Sequence, residues 1–349
     1  MAGVGLATCL EPSGGNAAFE PLLNPRNEKT IFPEGCHLRI DAQGNVTVTI
    51  GFSSAGQSHE TLVATLTGEE LQRDPETIRV VRADSLGGLP SQSPVASRMA
   101  IMVGGAIAGA ARQLKDKLVR IGAHNLGLRT DDVLYEGGDV FAKDDPSLKI
   151  GWNALVEFAH RKYHHLPPDT EPGLEAHFVM QVPTGGRLPD PDGRVQLYPC
   201  VALEAHVAFV EIDPETGEVR LDDYTVVHDC GTVLNPEVVR GLVLGGVAQG
   251  IGVALYEQYA YDDGGKLLSG TLNDYLLPAP RDIPRVRLGE HCTPSPLTSL
   301  GQKGTGESGY MGAPATVANA VNDALSVFGT QVDGLPIRGA DIWSKLEKR

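Results

Sequence analysis

The chain has 349 residues, 41% of them hydrophobic and 21% charged, and its formal net charge is −15. That length holds one large domain or two ordinary ones, and the acidity argues against nucleic acid or an anionic membrane as a partner. With 42 glycines and 24 prolines, many loops and tight turns are expected, and an anionic ligand would be held by backbone N–H groups rather than by a basic face.

The opening residues, MAGVGLATCLEPSGG, have neither a basic leader nor a long apolar run. No signal peptide, twin-arginine signal or membrane span is expected. Cys9, Cys36, Cys200, Cys230 and Cys292 are odd in number and widely spaced, with no C-x-x-C pair. That pattern excludes a disulfide framework, a zinc ribbon and an iron–sulfur ligand set, and fits reduced thiols in a cytoplasmic protein. Residues 1–33 read as irregular, with a short apolar piece over 3–10 and a long loop over 16–33.

Residues 37–40 and 46–50 alternate as a strand pair around a turn at 42–45. A helix is expected over 60–72 with Leu62, Val63, Leu66 and Leu71 inward, then a strand over 77–81. This order sets Gly56, Gln57 and Ser58 at a helix N-terminus, where unpaired N–H groups favour an anion; the ordinary alternative is a capped loop. After a loop over 83–94, a helix rich in small residues runs over 95–118, opening at Ser97 and Arg98. Its Ala and Gly content implies close packing against another element. Short strands follow at 133–135 and 140–142 and a helix at 152–160. The proline- and glycine-rich stretch from 167 to 192 suggests a boundary near 165.

Residues 204–212 and 218–227 form a hairpin around Asp213-Pro-Glu-Thr-Gly217. His206 and His228, which belong to no metal-spaced set, read as structural. Asn235 and Pro236 start a helix in which Gln249 stands among small and apolar residues. It either bonds neighbouring backbone or reaches a ligand. Strands are expected at 270–278 and 286–289, a helix with one apolar face at 313–327, and a short helix in the tail. Ahead of the 313–327 helix lies Gly301-Gln-Lys-Gly-Thr-Gly-Glu-Ser-Gly-Tyr310. Its glycines allow close backbone approach to a ligand. Its one acid, Glu307, is either a base aimed at that ligand or a solvated helix cap.

Seven segments in this order resemble the xanthine dehydrogenase and aldehyde oxidase family of molybdenum hydroxylases. They are Gly56-Gln-Ser-His-Glu-Thr61, Ser97-Arg98, Gly231-Thr-Val-Leu-Asn-Pro236, Gly245-Gly-Val-Ala-Gln-Gly250, Asp274-Tyr275, Thr293-Pro-Ser-Pro296 and Gly304-Thr-Gly-Glu-Ser-Gly309. Each is weak to moderate alone; together and in order they are specific. The resemblance covers the C-terminal half of the family's molybdenum subunit, as in the split subunit of nicotinate dehydrogenase. It implies an α+β molybdenum cofactor-binding fold of two related subdomains, 1–165 and 166–349, the second carrying the catalytic acid.

In that family a pterin dithiolene holds the molybdenum, and a glutamate in the G-x-G-E-x-G segment removes a proton from a hydroxide on the metal. Oxygen derived from water is then inserted at an electron-poor carbon of an N-heteroaromatic, purine or aldehyde. The resemblance implies Glu307 as the base and Gln249, with Gly250, near the apical oxo ligand. It implies Gln57, flanked by Gly56 and Ser58, on the pterin. Ala96, Ser97 and Arg98 would grip pterin or phosphate, and Gly304 and Gly306 would bring backbone to the cofactor. Ser58 replaces a common glycine, and Met99 and Ala100 replace common hydroxyls. The implied cofactor is molybdenum-molybdopterin cytosine dinucleotide, with [2Fe-2S] clusters and FAD on partner subunits and the N-terminal half of the molybdenum subunit on another chain. Alternative readings are a non-catalytic cofactor-binding homologue and a truncated fragment. A nucleotide-binding module lacks its P-loop or a G-x-G-x-x-G after a strand.

Overall fold

The structure, a computed structural model, describes residues 1–14, 33–82, 86, 89–182, 189–194 and 198–347. In chain order its main elements are strands β1 (Ala2–Ser13), β2 (Glu34–Ile40) and β3 (Val46–Ile50), helix α1 (His59–Leu71), β4 (Arg79–Arg82), α2 (Met99–Leu126), β5 (Val133–Glu136), β6 (Asp139–Ala142), β7 (Lys149–Ile150), α3 (Trp152–His160), β8 (Leu174–Met180), β9 (Cys200–Ile212), β10 (Val219–Asp229), α4 (Pro236–Leu255), β11 (Val286–Glu290), α5 (Ala313–Ser326) and α6 (Gly339–Glu347). They fall into two compact units. The first is Ser13–Cys200 with Pro296–Gln302; the second is Met1–Pro12 and Val201–Ser295 with Lys303–Arg349.

The first unit is built on a sheet ordered β4-β3-β2-β8. β2 and β3 form the expected hairpin, with Cys36 opposite Ile50 and Ile40 opposite Val46. Their inward residues Cys36, Leu38, Ile40, Val48 and Ile50 are fully buried, as alternation requires. Helix α1 then carries the chain to β4, parallel to β3, since parallel neighbours need a crossover. β8 pairs along the whole of β2, from Glu34 opposite Met180 to Ile40 opposite Leu174. The 165/166 division therefore falls inside this unit, because the segment beyond it completes the same sheet. The small residues of α2 serve close packing: a Cβ on Gly105 would lie 2.5 Å from Met180 Sδ, and one on Gly109 2.4 Å from a Phe178 ring carbon. A second sheet, β5-β6-β7, lies in the same unit.

The second unit repeats that plan in the sheet β1-β9-β10-β11. β9 and β10 form the hairpin, α4 crosses over, and β11 returns parallel to β10. A following helix, α5, packs on α4 as α2 packs on α1. Val243, Val247 and Ile251 of α4, Val317, Val321 and Leu325 of α5, and Val210, Ile212, Tyr224 and Val226 of the sheet form its core. Asn235 Oδ1 caps α4 by accepting from Val238 N at 3.1 Å. By length and composition α4 could cross a membrane, yet Val243, Val247 and Ile251 are fully buried against protein, which is how a core helix looks. Both units thus have the order strand, strand, helix, strand, helix, with a fourth strand beside the hairpin. This is the α+β fold with two related parts that the motifs imply.

Two expectations are corrected. Residues 2–13 are a long strand rather than an irregular piece. Residues 270–278 are turns, not a strand: Tyr275 N donates to Thr271 O at 2.8 Å, and the Thr271 hydroxyl donates to Asp274 Oδ2 at 2.8 Å, closing the chain on itself. The long loop expected at 16–33 lies, except for its last residue, outside the described residues.

β1 is held by close approach to α5. A Cβ on Gly5 would lie 2.1 Å from Thr316 O and 2.4 Å from Ala320 N. Gly5→Ala must push strand and helix apart, a destabilisation of about 1–3 kcal/mol read as a lower urea midpoint. An unchanged midpoint would show that β1 does not pack on α5.

Candidate functional site

The expected site residues fall in both units, at equivalent points of the repeated plan: the turn into the crossover helix, that helix itself, and the loop before the second helix.

In the first unit, Gly56 has φ +106, and nothing lies within 4 Å of where its Cβ would be. Only glycine accepts that backbone without strain. Gln57 turns its amide oxygen back on its own loop, accepting from Ala55 N at 2.7 Å. Ser58 holds the N-cap of α1 at φ 61, in the left-handed region, with no side-chain cap bond. A cap residue ordinarily adopts extended backbone and uses its side chain on the first turn. Ala96 and Ser97, before α2, are consecutive left-handed residues at φ 54 and φ 50. Non-glycine residues are held in that region only where their surroundings enforce it, and such strain gathers at ligand clamps.

Arg98 follows these two residues in the chain. It is fully buried and ion-paired with the equally buried Glu34 at the start of β2. Glu34 also accepts from the Ser91 hydroxyl at 2.8 Å and from Gln92 N at 2.9 Å. The guanidinium expected to grip a ligand is thus spent inside the fold on Glu34. Ala96 and Ser97 beside Arg98 are half-buried.

In the second unit, Glu307 and Gly306 are exposed, and Gly304 is buried. The segment is braced from several directions. Glu307 N donates to Glu11 Oε1 at 2.8 Å, and the Ser308 hydroxyl donates to Glu11 Oε2. His206 Nε2 donates to Ser308 O at 3.1 Å, while His206 Nδ1 accepts from the Tyr224 hydroxyl at 2.9 Å. Burial, opposed by the bond to Ser308, lowers His206 to about 4, so the ring is neutral at pH 7 and structural, as expected. Lys303 N donates to Cys230 O at 2.8 Å, and its ammonium pairs with the buried Asp229 at 3.2 Å. Burial alone would raise Asp229, but bonds from Thr293, Gly231 and Lys303 outweigh it and hold its carboxyl at about 2.

The glycines on either side of Gln249 fasten α4 to this segment. A Cβ on Gly246 would lie 2.8 Å from Tyr310 N, and one on Gly309 2.0 Å from Val243 O. Gly250 is buried, and a Cβ there would meet Ala313 Cβ at 2.5 Å. Its smallness serves packing. Gln249 itself is exposed.

Sequence reasoning missed the acids that hold these loops. Glu11 of β1 and Glu204 of β9 are buried at 0% and 4% exposure. Burial first, then a hydrogen bond to Glu11 and its charge, raise Glu204 to about 9; the Ser308 hydroxyl opposes this and the Glu307 charge adds to it. Glu204 is therefore held as a neutral acid at pH 7, beside Glu11. An acid at an inward strand position is the signal that could have exposed Glu11, had 2–13 been read as a strand.

The first unit thus offers an open glycine edge, a helix N-terminus and left-handed backbone, which suit an anionic ligand, and the second an exposed carboxylate and an exposed amide on braced elements. Among the described residues no three His, Cys, Asp or Glu side chains come together to hold a metal.

A family model described as molybdopterin cofactor-binding domain matches residues 1–284. The chain is 32% identical over 362 residues to the nicotine 6-hydroxylase large subunit of Paenarthrobacter nicotinovorans, covering 99% of this chain and 42% of that subunit. It is 32% identical over 315 residues to the carbon monoxide dehydrogenase large chain of Hydrogenophaga pseudoflava, covering 90% and 37%. The structure superposes on quinoline 2-oxidoreductase from Pseudomonas putida 86 with a TM-score of 0.89 and 32% identity, covering 100% of this chain and 42% of that one. The chain thus spans about two fifths of the relatives it matches.

The Glu11–Glu204 pair gives a pH test. An unfolded glutamate ionises near 4.5 while folded Glu204 holds its proton to about 9, so between those values the unfolded state is favoured by at most ~1.4 kcal/mol per pH unit. Glu204→Gln keeps the shape of the side chain and removes that dependence. The stability of the variant relative to the parent chain should rise as pH goes from 5 to 9, by urea unfolding. A pH-independent difference would mean that Glu204 is ionised in the fold.

Proposed function

The chain belongs to the molybdopterin cofactor-binding domain family, and from that premise we propose that it is the base-carrying portion of a molybdenum hydroxylase large subunit. The observation that carries this reading is the position of Glu307. It is an exposed carboxylate in a glycine-rich segment whose backbone is pinned by Glu11, Ser308 and His206. Solvation alone would not require such bracing, whereas a general base needs its carboxylate held within reach of the proton it removes.

When bound, the molybdenum cofactor supplies the Lewis acid and the two-electron sink of the reaction. On this reading Glu307 takes the proton, and the Glu11 contact to its own backbone N–H fixes where it can stand. Gln249 offers an amide from a helix locked to the same segment through Gly246 and Gly250. Gly304 and Gly306 keep the approach narrow and free of side chains. Gly56, Gln57 and Ser58 present the α1 N-terminus, and Ala96 and Ser97 present backbone, to the anionic parts of the pterin. In a chain of net charge −15 this backbone set is the means of binding phosphate without a basic patch. Arg98 acts behind the loop, through Glu34.

Nicotine and quinoline, in the names of two relatives, both contain a pyridine-type ring, and an N-heteroaromatic of that kind is the substrate class we favour over a purine or an aldehyde. The nucleotide form of the cofactor is proposed to be the cytosine dinucleotide. Electrons would leave through [2Fe-2S] and FAD subunits, and the rest of the large subunit would complete the pocket. Cys9, Cys36, Cys200, Cys230 and Cys292 are free thiols, which supports a cytoplasmic location.

The test is Glu307→Gln in the complex purified with its natural partners. Molybdenum content should stay near that of the parent, while turnover falls by roughly two to four orders of magnitude. Undiminished turnover would remove Glu307 from the mechanism. An active parent complex without molybdenum, by elemental analysis, would overturn the reading as a whole.

A further inference from the structure

The sheet β1-β9-β10-β11 buries one face against α4 and α5. Its opposite face is open and apolar over β1 and the adjoining parts of β9 and β10, and ends in the charged cluster Glu211, Arg220 and Asp222. Val4, Leu6 and Leu10 on β1, Leu203 and Phe209 on β9 and Val227 on β10 range from 41% exposed at Val227 to 64% at Leu10. A groove of about 350 Å3 crosses the three strands there, with Thr8, Leu10, Leu203, Ala205 and Val227 among its walls. A solvated sheet face ordinarily alternates polar residues outward. In β1 the alternation is inverted: Gly3 and Gly5 face α5, where a Cβ would lie 2.2 Å from Ala320 O or 2.1 Å from Thr316 O, and the large aliphatic residues face out. Contiguous apolar surface of this kind marks a docking site.

We propose that this face docks the remaining portion of the large subunit, the polypeptide that the longer relatives carry outside the matched region, through an apolar surface that fills the groove. The proposal rests on the reading of the chain as part of such a subunit. Two observations select this occupant. The matched region is 42% of the nicotine 6-hydroxylase large subunit and 42% of the quinoline 2-oxidoreductase chain, so more than half of each is left to pack on it. A second copy is disfavoured because each chain carries a net charge of −15, and like-charged molecules repel on approach. Partners of uniform negative charge are disfavoured for the same reason, so the docking polypeptide should be neutral or basic where it surrounds the groove.

The probe is the polypeptide from the same organism that matches the rest of the nicotine 6-hydroxylase large subunit, produced with and without this chain. Hydroxyl-radical footprinting should show Leu6, Leu10, Leu203 and Phe209 reactive in the chain alone and several-fold less reactive in the complex. Leu6→Asp with Leu203→Asp should weaken association by roughly a hundredfold and leave the unfolding midpoint of the chain alone unchanged, because both side chains are exposed. The proposal is overturned by equal reactivity in chain and complex, by protection already present in the chain alone, by protection that follows self-association in sedimentation, or by failure of the parent chain to bind the probe. Molybdenum content separates the two readings. A protected face in a complex without molybdenum leaves the docking surface standing and removes the proposed chemistry. A molybdenum-loaded, active complex with an unprotected face does the reverse.

Discussion

A single buried carboxylate joins the two ends of the chain. Glu11, at the end of the first strand, accepts the backbone N–H of Glu307 and the hydroxyl of Ser308, and so fixes a glycine-rich segment that has few side chains of its own to hold it. A loop of this composition has high conformational entropy, and buried hydrogen bonds to a carboxyl acceptor are among the local restraints available to it. Burial first, and then the neighbouring Glu11, hold Glu204 protonated, so the pair stands in the core with one charge fewer to bury. Neutral His206 holds the same loop from its other side. The geometry around Glu307 thus depends on one strand position almost three hundred residues away.

The first unit solves the same problem with the same means. Glu34, at the start of β2, accepts from Ser91, Gln92 and Arg98, and so secures the loop before α2 in which Ala96 and Ser97 are held left-handed. In each unit the loop ahead of the second helix is tied to a buried acid on the sheet. Arg98, which the motifs place on pterin or phosphate, works as an internal brace through Glu34.

The glycines divide by physical role. Gly56 has positive φ and open space beside it, a backbone that only glycine adopts without strain. Gly246, Gly250 and Gly309 are small because helix α4 and the Glu307 segment pack backbone to backbone. Gly3 and Gly5 are small because α5 lies against β1, and that approach turns the aliphatic residues of β1 outward. One packing requirement therefore both secures the strand that carries Glu11 and creates the apolar face on the other side of the sheet.

The sequence by itself determined most of the local structure. The alternation at 46–50 and 204–212, the caps at Asn235 and Pro236, and the helical spacing of Val317, Val321 and Leu325 are all short-range patterns, and each appears where expected. The ordered glycine-rich motifs, with Glu307 among them, were equally legible and pointed to the family. The tertiary structure alone decided which face of a strand is buried and which charges are paired. β1 was read as irregular because its inward positions are glycines, and an apolar pattern cannot reveal a face buried by absence of side chains. β8 was hidden among prolines and glycines because its strand character comes from pairing with β2. The stretch 270–278 carries strand-forming residues, but the Thr271–Asp274 bond closes it into turns. Arg98 and Glu34, and Glu11 and Glu307, are distant in sequence, and their pairing follows from burial and hydrogen bonding that no local periodicity encodes.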